Sequence, residues 1–394
     1  MSEWKKVKLG EICERVTSGG TPKANVSSYY NPPTIPWLKT KEVNYCRITE
    51  TENYISEEGL KNSSAKLISP NSVIIAMYGQ GDTAGRIAIN KIPLATNQAC
   101  CNLTIDKSKA DYEFIYYQLC TLYDKLVSLK AGAAQPNLNA RIIKNLEIIM
   151  PSLPIQHRIA SILSRYDSLI ENYQKQIKLL EEAAQRLYKE WFVDLHFPGH
   201  ENTKIVDGVP EGWEKKRLID LVDVQYGYAF DGKLFNSSGE GMPILRIRNI
   251  PDGITSDYTT EEAQDCYIVH NGDIVVGMDG IFHINSWSGG DAYLVQRACS
   301  FRPKEECMKG FIFQAIQEPI KFFEKTLVGA TVAHLGKKHI DSIELCIPKN
   351  FELYKPFSKF YNQRQGLLSQ IRLLTEARDR LLPKLMSGEI NVES

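Results

Sequence analysis

The stretch "IKNLEIIMP" at Ile143–Pro151 returns as "IDSIELCIP" at Ile340–Pro348. Both copies begin with an isoleucine, carry a glutamate in the middle and close with a proline. The pattern predicts a strand that the proline ends, because proline has no N–H to donate to a sheet. The repetition indicates that the chain builds one junction twice, where each of two globular domains ends.

The similarity extends along the whole chain in the same order, which indicates a two-fold duplication of a unit of about 200 residues rather than a solenoid. The further matched pairs are "WKKVKLGEICERVTSGGTP" from Trp4 with "WEKKRLIDLVDVQYGYAF" from Trp213, "SVIIAMYGQG" from Ser72 with "DIVVGMDGIF" from Asp273, "QACCNL" from Gln98 with "RACSFR" from Arg297, "AGAAQPNL" from Ala131 with "VGATVAHL" from Val328, and "QIKLLEEAAQRLYK" from Gln176 with "QIRLLTEARDRLLPK" from Gln370.

The end of each copy has the heptad pattern of a coiled coil, with apolar residues at alternating steps of four and three. A long helix that is exposed apart from one seam needs a partner helix, and the other copy supplies it. The seam of the first copy contains Ile159, Leu163, Tyr166, Ile170, Tyr173, Ile177, Leu180, Ala184, Leu187 and Trp191. The seam of the second copy contains Phe357, Phe360, Arg364, Leu367, Ile371, Leu374, Arg378, Leu381 and Leu385.

Two arginines in the second seam, Arg364 and Arg378, allow two interpretations. They could lie inside the helix pair beside tyrosine or glutamate side chains. Alternatively, the helix is rotated so that Leu368 and Ala377 face inward and the arginines face a partner. We favour the rotation, because an unpaired buried arginine is costly.

The first part of each copy mixes short β-branched strands, turn residues and one amphipathic helix, within "DYEFIYYQLCTLYDKLVSL" and "GFIFQAIQEPIKFFEKTL". The sequence therefore predicts an α+β protein, with two similar globular domains separated by two long antiparallel coiled-coil helices in a pseudo-two-fold arrangement. The predicted domains are residues 1–152 and 198–350, and the predicted helical spacers are residues 153–197 and 351–394.

Composition limits the possible functions. The chain has 47 basic and 47 acidic residues, which argues against a purely electrostatic nucleic-acid binder. Residues 1–150 have an excess of basic side chains and residues 198–350 an excess of acidic ones, so any DNA contact depends on local placement. The lack of an apolar signal core and of long apolar runs predicts a cytoplasmic protein.

Several stretches resemble the specificity subunits of type I restriction–modification enzymes. They are "GAAQPNLNARIIKNLEIIMPSLPIQHRIASIL", "TSGGTPK…YYNPPTIPWLKTKEV" and "GDIVVGMDG". The second junction, "IPKNFELYKPFSKF", departs from the family pattern because it lacks the glutamine that usually follows its proline.

The resemblance implies a subunit without catalytic activity, in which each target-recognition domain reads one half of an asymmetric, bipartite DNA sequence. The helices would set the gap and dock two methyltransferase subunits, and restriction/translocase subunits would join the complex. S-adenosylmethionine, ATP and magnesium would then be bound by those partners, with no cofactor or metal held by this chain.

Candidate DNA-binding residues fall into two pairs of equivalent segments and one further loop. Alternate basic residues in "LKTKEV" and "LRIRNI" would share one face of a strand, the loop "MYGQGDTAGR" would expose polar side chains, and "AAQPNLN" and "VAHLGKKH" offer groups that bond base edges or phosphates. A solvated strand face, a structural turn and helix capping are the respective structural alternatives. The candidates are Lys39, Lys41, Tyr78, Gln80, Arg86, Gln135, Asn137, Asn139, Arg246, Arg248, Asn249, His334, Lys337 and Lys338.

Two other functions remain open at the level of sequence. A solitary DNA methyltransferase or nuclease is disfavoured, since "NPPT" at Asn31–Thr34 lacks the aromatic fourth residue of adenine methyltransferases and no glycine-rich cofactor loop follows a strand. A coiled-coil adaptor that does not bind DNA is favoured by the acidic excess in residues 198–350.

Overall fold

The computed structural model describes residues 4–130, 137–327 and 333–392. The chain divides into two compact units. The first unit comprises Met1–Ser168 with Thr375–Ser394, and the second comprises Leu169–Leu374. Each unit thus contains a globular domain, the beginning of one long helix and the end of the other. The functional division into four segments stays a prediction.

The elements of the first half are mostly short strands before one long helix. The strands are β1 (Lys5–Lys8), β2 (Cys13–Ser18), β3 (Ile35–Leu38), β4 (Cys46–Ile48), β5 (Tyr54–Ile55), β6 (Leu67–Ile68), β7 (Val73–Ala76), β8 (Ile87–Asn90), β9 (Leu94–Thr96), β10 (Cys100–Ile105) and β11 (Glu147–Met150). The helices are α1 (Glu57–Lys61), α2 (Tyr112–Cys120), α3 (Tyr123–Ser128), α4 (Ala140–Lys144) and α5 (Leu153–Tyr188), and α5 continues into a π-helical turn at Lys189–Val193.

The second half has the corresponding elements. Its strands are β12 (Ile205–Val206), β13 (Val209–Pro210), β14 (Trp213–Arg217), β15 (Val222–Tyr226), β16 (Phe235–Asn236), β17 (Met242–Leu245), β18 (Tyr258–Thr259), β19 (Ile268–Val269), β20 (Ile274–Gly277), β21 (Ile284–Ser286), β22 (Ala292–Leu294), β23 (Ala298–Pro303) and β24 (Glu344–Pro348). Its helices are α6 (Leu218–Leu221), α7 (Lys309–Ala315), α8 (Gln317–Thr326), α9 (Lys337–Asp341) and α10 (Lys355–Met386).

The two domains share the order of four strands in each of two sheets, and each domain adds one edge strand to a different sheet. In the first, one sheet has the order β2–β10–β7–β8–β4 and a second has the order β5–β3–β9–β6. In the other domain the matching sheets are β15–β23–β20–β21 and β16–β18–β17–β22–β19. The central strands β7 and β20 are buried along their whole length, as continuous runs of apolar residues predict. The predicted α+β class is confirmed.

The repeated stretch forms a short helix and a strand in both copies. Strand β11 pairs with β1 and β24 pairs with β14, so Glu147 lies opposite Lys8 and Glu344 lies opposite Arg217. The strand therefore joins the first and last segments of each domain immediately before its long helix. The predicted junction strand is confirmed.

The register of the sheets corrects one match between the copies. Cys101 pairs with Ile75 of β7, and Cys299 pairs with Val276 of β20. The alignment of "QACCNL" with "RACSFR" is consequently wrong by one residue, and Arg297 occupies the place of Ala99.

The amphipathic helix predicted before each junction is instead two helices. In the second copy α7 ends at Ala315 and α8 begins at Gln317. Pro319 explains the break, because a proline ring clashes with the carbonyl four residues earlier and proline has no N–H for a continuous helix. In the first copy α2 and α3 meet at Thr121 and Leu122.

The long helices pair in an antiparallel manner within each unit. In the first unit Ile159 and Leu163 of α5 share a buried cluster with Leu385 of α10, and Asp167 pairs with Arg378. Residue numbers therefore increase along α5 in the direction in which they decrease along α10. Likewise, in the second unit the Trp191 ring lies 6.0 Å from that of Phe357, and Glu181 pairs with Arg364. None of the described helices is both long and apolar enough to cross a membrane.

The seam arginines face inward, so the rotation that we favoured is wrong. Arg364 is only 8% exposed, and its Nε donates to Oε1 of Glu181 at 2.6 Å. Its guanidinium also donates to Ser286 Oγ and to Asn285 Oδ1 of strand β21. Arg378 Nη1 donates to Oδ1 of Asp167 at 2.8 Å. Acidic partners on α5 make the inward position possible, since a paired and hydrogen-bonded charge avoids the penalty of isolated burial.

Asp167 connects α5, α10 and the first domain. Its other carboxylate oxygen accepts a hydrogen bond from Arg47 of β4 at 2.8 Å and from the Tyr117 hydroxyl of α2 at 2.5 Å. Burial raises the pKa of the Asp167 carboxyl, but the hydrogen bonds from Tyr117 and Arg378 and the charge on Arg47 outweigh it, so that the pKa is lowered overall. The carboxylate therefore stays charged and binds two arginines at once.

We expect the substitution Asp167→Ala to lower the free energy of unfolding by about 3 kcal/mol or more, because it leaves Arg47 and Arg378 short of a buried counter-charge. Glu182→Ala is the matched control on the same helix, since Glu182 forms an exposed pair with Arg186 and should contribute at most about 1 kcal/mol. Equilibrium urea unfolding followed by circular dichroism measures both. Equal losses in the two variants would contradict the role given to Asp167.

Candidate nucleic-acid interface

Two backbone hydrogen bonds bring three segments of the first domain together at the end of strand β7. Met77 N–H donates to the carbonyl of Ala99 at 2.7 Å, and Leu138 N–H donates to the carbonyl of Met77 at 3.0 Å. The side chains at this point are Tyr78, which follows Met77, Ala99 itself, and Asn137, which precedes Leu138. We call these three positions the strand-end platform.

The second domain repeats the same connections at the end of strand β20. Met278 N–H donates to the carbonyl of Arg297 at 2.8 Å, and Leu335 N–H donates to the carbonyl of Met278 at 2.7 Å. The strand-end platform of this domain is therefore Asp279, Arg297 and His334. One backbone arrangement thus presents two different sets of side chains.

The platform of the second domain is a connected polar cluster. His334 Nδ1 lies 2.6 Å from Asp279 Oδ1, and Arg297 Nη1 donates to Asp279 Oδ2 at 2.5 Å. The side chains of His334 and Arg297 are 52% and 59% exposed, whereas that of Asp279 is 21% exposed. The carboxylate thus holds both outer groups while they remain accessible to a ligand.

The first platform and its loop are polar but largely uncharged. Burial raises the pKa of Tyr78, which is half-buried, and Gln80 lies exposed at the tip of the loop. Arg86 donates to Asp82 at 2.6 Å, and this hydrogen bond lowers the pKa of the Asp82 carboxyl. The loop therefore offers hydrogen-bonding groups, while the charge on Arg86 is already balanced.

Asn137 and Asn139 lie on either side of buried Leu138, close to the end of β7. Asn139 caps helix α4, because its Oδ1 accepts from Ile142 N–H at 3.0 Å. The side-chain oxygen of Asn139 therefore caps a helix, which is the structural alternative to DNA contact for this residue. Gln135 lies outside the described residues.

The prediction that alternate basic residues share a strand face is wrong in both domains. Strands β3 and β17 end at Leu38 and Leu245, and 3-10 helices follow at Thr40–Glu42 and Ile247–Asn249. Both domains use the same kind of cap. The side chain three residues after the first basic residue accepts a hydrogen bond from the backbone N–H of that basic residue. Glu42 caps Lys39 at 3.0 Å, and Asn249 caps Arg246 at 2.9 Å.

The second basic residue of each pair is neutralised by a nearby acid. Lys41 forms an ion pair with Glu52, and Arg248 makes a bidentate pair with Asp257 at 2.5–3.1 Å. These pairs raise the pKa of both basic groups. The side-chain oxygen of Asn249 is likewise occupied, because it accepts the hydrogen bond from Arg246 N–H.

The first basic residue of each pair lies beside the platform. Asn97 N–H donates to Leu38 O at 2.9 Å, and Val295 N–H donates to Leu245 O at 3.0 Å. The turn that carries Ala99 or Arg297 therefore starts next to Lys39 or Arg246. Each of these two cations lies against an aromatic ring, with Lys39 Nζ 5.2 Å from the centroid of Trp37 and the Arg246 guanidinium 5.3 Å from that of Phe235.

Helix α9 supplies two exposed cations. Lys337 and Lys338 are its first two residues, both are exposed, and neither forms an ion pair within the part of the chain that the structure describes. The N-caps Asn139 and Gly336 are equivalent, so Arg141 of α4 matches Lys338. The first turns of both helices thus place a basic residue near the platform.

Three residues of this region were not among the candidates from the sequence: Asp279, Arg297 and Arg141. The stretches quoted from the sequence contained all three, but their roles depend on which groups meet in space. Within the described residues no group of histidine, cysteine and acidic side chains is arranged to hold a metal ion.

A family model described as "Type I restriction modification DNA specificity domain" matches residues 1–182 and 210–372. The chain is 28% identical to the type I restriction enzyme MjaIX specificity subunit of Methanocaldococcus jannaschii over 427 residues, covering 99% of this chain and 94% of the relative. It is 25% identical to the MjaVIII specificity subunit of the same organism, covering 100% and 94%. The crystal structure of a type I restriction–modification S subunit from M. genitalium shares the fold, with a TM-score of 0.59, 18% identity and coverage of 98% and 96%.

We expect the double substitution Lys337→Ala with Lys338→Ala to weaken duplex binding evenly across sequences. The slope of the logarithm of the binding constant against the logarithm of the salt concentration should become shallower by about 0.9 for each phosphate that the variant no longer neutralises. Arg248→Ala is the matched control, because both Nε and Nη2 of that guanidinium already donate to Asp257. Fluorescence anisotropy of the assembled complex with labelled duplexes over a salt series measures both. A larger reduction in affinity from Arg248→Ala than from the double substitution would contradict this distinction.

Proposed function

The chain belongs to the type I restriction modification DNA specificity family, and from this premise we propose that it reads a bipartite, asymmetric DNA sequence, one half with each domain. The observation that carries the proposal is the duplicated strand-end platform. Both domains hold three segments by the same backbone bonds, yet one presents Tyr78 and Asn137 where the other presents Asp279 and His334.

A constant framework with variable side chains suits the reading of two different half-sites. Base edges in the major groove are distinguished by their patterns of donors, acceptors and methyl groups, so recognition of different bases needs different side chains. Orientation on the duplex can remain the same in both domains, because phosphate contacts position a protein without reading sequence. Lys338 and Arg141 are equivalent in position and suited to such phosphate contacts.

The overall charge balance is compatible with this arrangement. Several basic groups of the region are neutralised within the protein, and few remain for phosphate. Non-specific affinity depends mainly on released counterions, so a modest number of free cations limits binding to unrelated DNA. The acidic excess of residues 198–350 then favours selectivity in the second domain rather than excluding DNA.

As a specificity subunit, the chain is a recognition component and not an enzyme. We expect it to act with two methyltransferase subunits and with restriction/translocase subunits in the cytoplasm. S-adenosylmethionine, ATP and magnesium would be bound by those partners. A solitary methyltransferase is not favoured, since "NPPT" precedes β3 as a loop and ends in threonine. The family match over both domains favours neither a nuclease nor an adaptor that does not bind DNA.

Exchange of residues 1–150 for the corresponding domain of another family member should change one half of the recognised sequence and leave the other half unaltered. The physical reason is that each platform is held by bonds within its own domain. Mapping of methylated bases in a host that carries the assembled complex measures the outcome. A simultaneous change in both halves would refute the proposal of separate readers.

Shortening both long helices by one heptad should contract the unspecified gap between the half-sites by about three base pairs, because seven helical residues span roughly 10 Å and each base pair about 3.4 Å. Removal of residues 171–177 with residues 367–373 keeps the heptad register and retains Asp167, Glu181, Arg364 and Arg378.

Removal of residues 171–177 alone is the control, since it shortens only one helix of the pair and should abolish assembly. Methylation mapping of any double-deletion variant that retains activity gives the gap. Methylation at the original spacing by such a variant would show that the helices do not set it.

A further inference from the structure

Arg297 has a backbone conformation that residues with a side chain rarely adopt. Its φ is +75°, in the left-handed region that favours glycine. Its carbonyl accepts a hydrogen bond from Met278 N–H at 2.8 Å, which helps to hold the turn in place. A non-glycine residue kept in such a conformation often marks a functional position, because the strain has to be offset by its surroundings.

The side chain of Arg297 is held but not covered. One nitrogen donates to Asp279 Oδ2, and 59% of the side chain remains exposed. The other oxygen of Asp279 lies against His334 Nδ1 at 2.6 Å. The carboxylate therefore fixes the direction of the guanidinium while part of its fork stays free for a ligand.

Among the described residues of the first domain, none provides a comparable group at this place. Ala99 occupies the position of Arg297, and Tyr78 occupies that of Asp279. Any contact made by Arg297 therefore belongs to the second domain alone. A cation that only bound phosphate would serve both domains equally, so the asymmetry indicates sequence reading.

We propose that Arg297, oriented by Asp279, reads a guanine in the half-site of the second domain through the O6 and N7 acceptors in the major groove. A planar guanidinium matches this pair of acceptors, and arginine with guanine is the commonest specific contact between proteins and DNA. Asp279 acts as a positioning residue, and His334 remains available beside it for a neighbouring base or phosphate. The inference rests on the proposed function and adds a residue and a base to it.

The test uses the complete complex with its methyltransferase subunits. The recognised sequence is first mapped from genomic methylation, and duplexes are then prepared in which 7-deazaguanine replaces each guanine in turn. This base lacks N7 but still pairs with cytosine. With the unsubstituted protein, one position in the second half-site should weaken binding roughly 5- to 150-fold, the range expected for a bidentate contact.

Arg297→Gly is the informative variant, because it removes the side chain and suits the positive φ. It should bind the natural and the modified duplex with equal affinity and should methylate sites with any base at that one position. Arg297→Lys should keep general affinity and lose most discrimination, since lysine lacks the planar fork. Asp279→Asn should reduce discrimination less than Arg297→Gly. Arg217→Ala is the control, because Arg217 forms an exposed ion pair with Asp220 in the same unit and should leave the sequence preference unchanged.

Several outcomes would overturn the inference. They are a second half-site without guanine, an unchanged sequence preference in Arg297→Gly, or an even loss of affinity for all duplexes, which would indicate a phosphate contact. A change in the half-site of the first domain would also overturn it. Failure of the unsubstituted complex to methylate any bipartite sequence would instead refute the proposed function itself, so the two failures can be told apart.

Discussion

Charge burial at the helix pair is the constraint on which each unit depends. In the first unit, Asp167 carries the hydrogen bonds of Arg47, Arg378 and Tyr117, which come from a strand, from the opposite helix and from a domain helix. In the second, Arg364 binds Glu181 of the opposite helix and Asn285 and Ser286 of a strand. Such contacts are directional, so they fix the position of a helix along its partner and against a sheet, which apolar contacts alone define less strictly.

A fixed scaffold of this kind allows the reading surface to vary. The platform residues are held by hydrogen bonds between backbone atoms, and these bonds do not depend on the identity of the side chain. Tyr78 can therefore be exchanged for Asp279, or Ala99 for Arg297, while the same segments stay together. The core supplies the geometry, and the positions at the strand ends supply the chemistry. This separation explains how one duplicated sequence can present two different sets of side chains at equivalent positions.

Two predictions from the sequence fail for a common physical reason. Alternation predicts that Lys39, Lys41, Arg246 and Arg248 lie on strand faces, yet the caps from Glu42 and Asn249 turn the chain into a 3-10 helix. The cost of an unpaired buried charge predicts that Arg364 and Arg378 face outward. Their acidic partners are 183 and 211 residues away in the sequence. In both cases a hydrogen bond from or to a side chain decided the conformation or the side-chain direction against the one that the local sequence pattern favoured.

The sequence by itself determined the duplication, the α+β class, the heptad helices, the junction strands and the family, because these depend on periodicity and on the order of motifs. It also predicted that candidate contact residues lie at the strand ends and before α4 and α9. Only the tertiary structure decided which cations are neutralised, as Arg248 and Arg86 are, and which remain accessible, as Lys337 and Lys338 do. It alone joined Asp279, Arg297 and His334 into one cluster. The reason is that ion pairs and hydrogen bonds require atoms within a few ångströms, and spacing along a chain does not encode which distant residues meet.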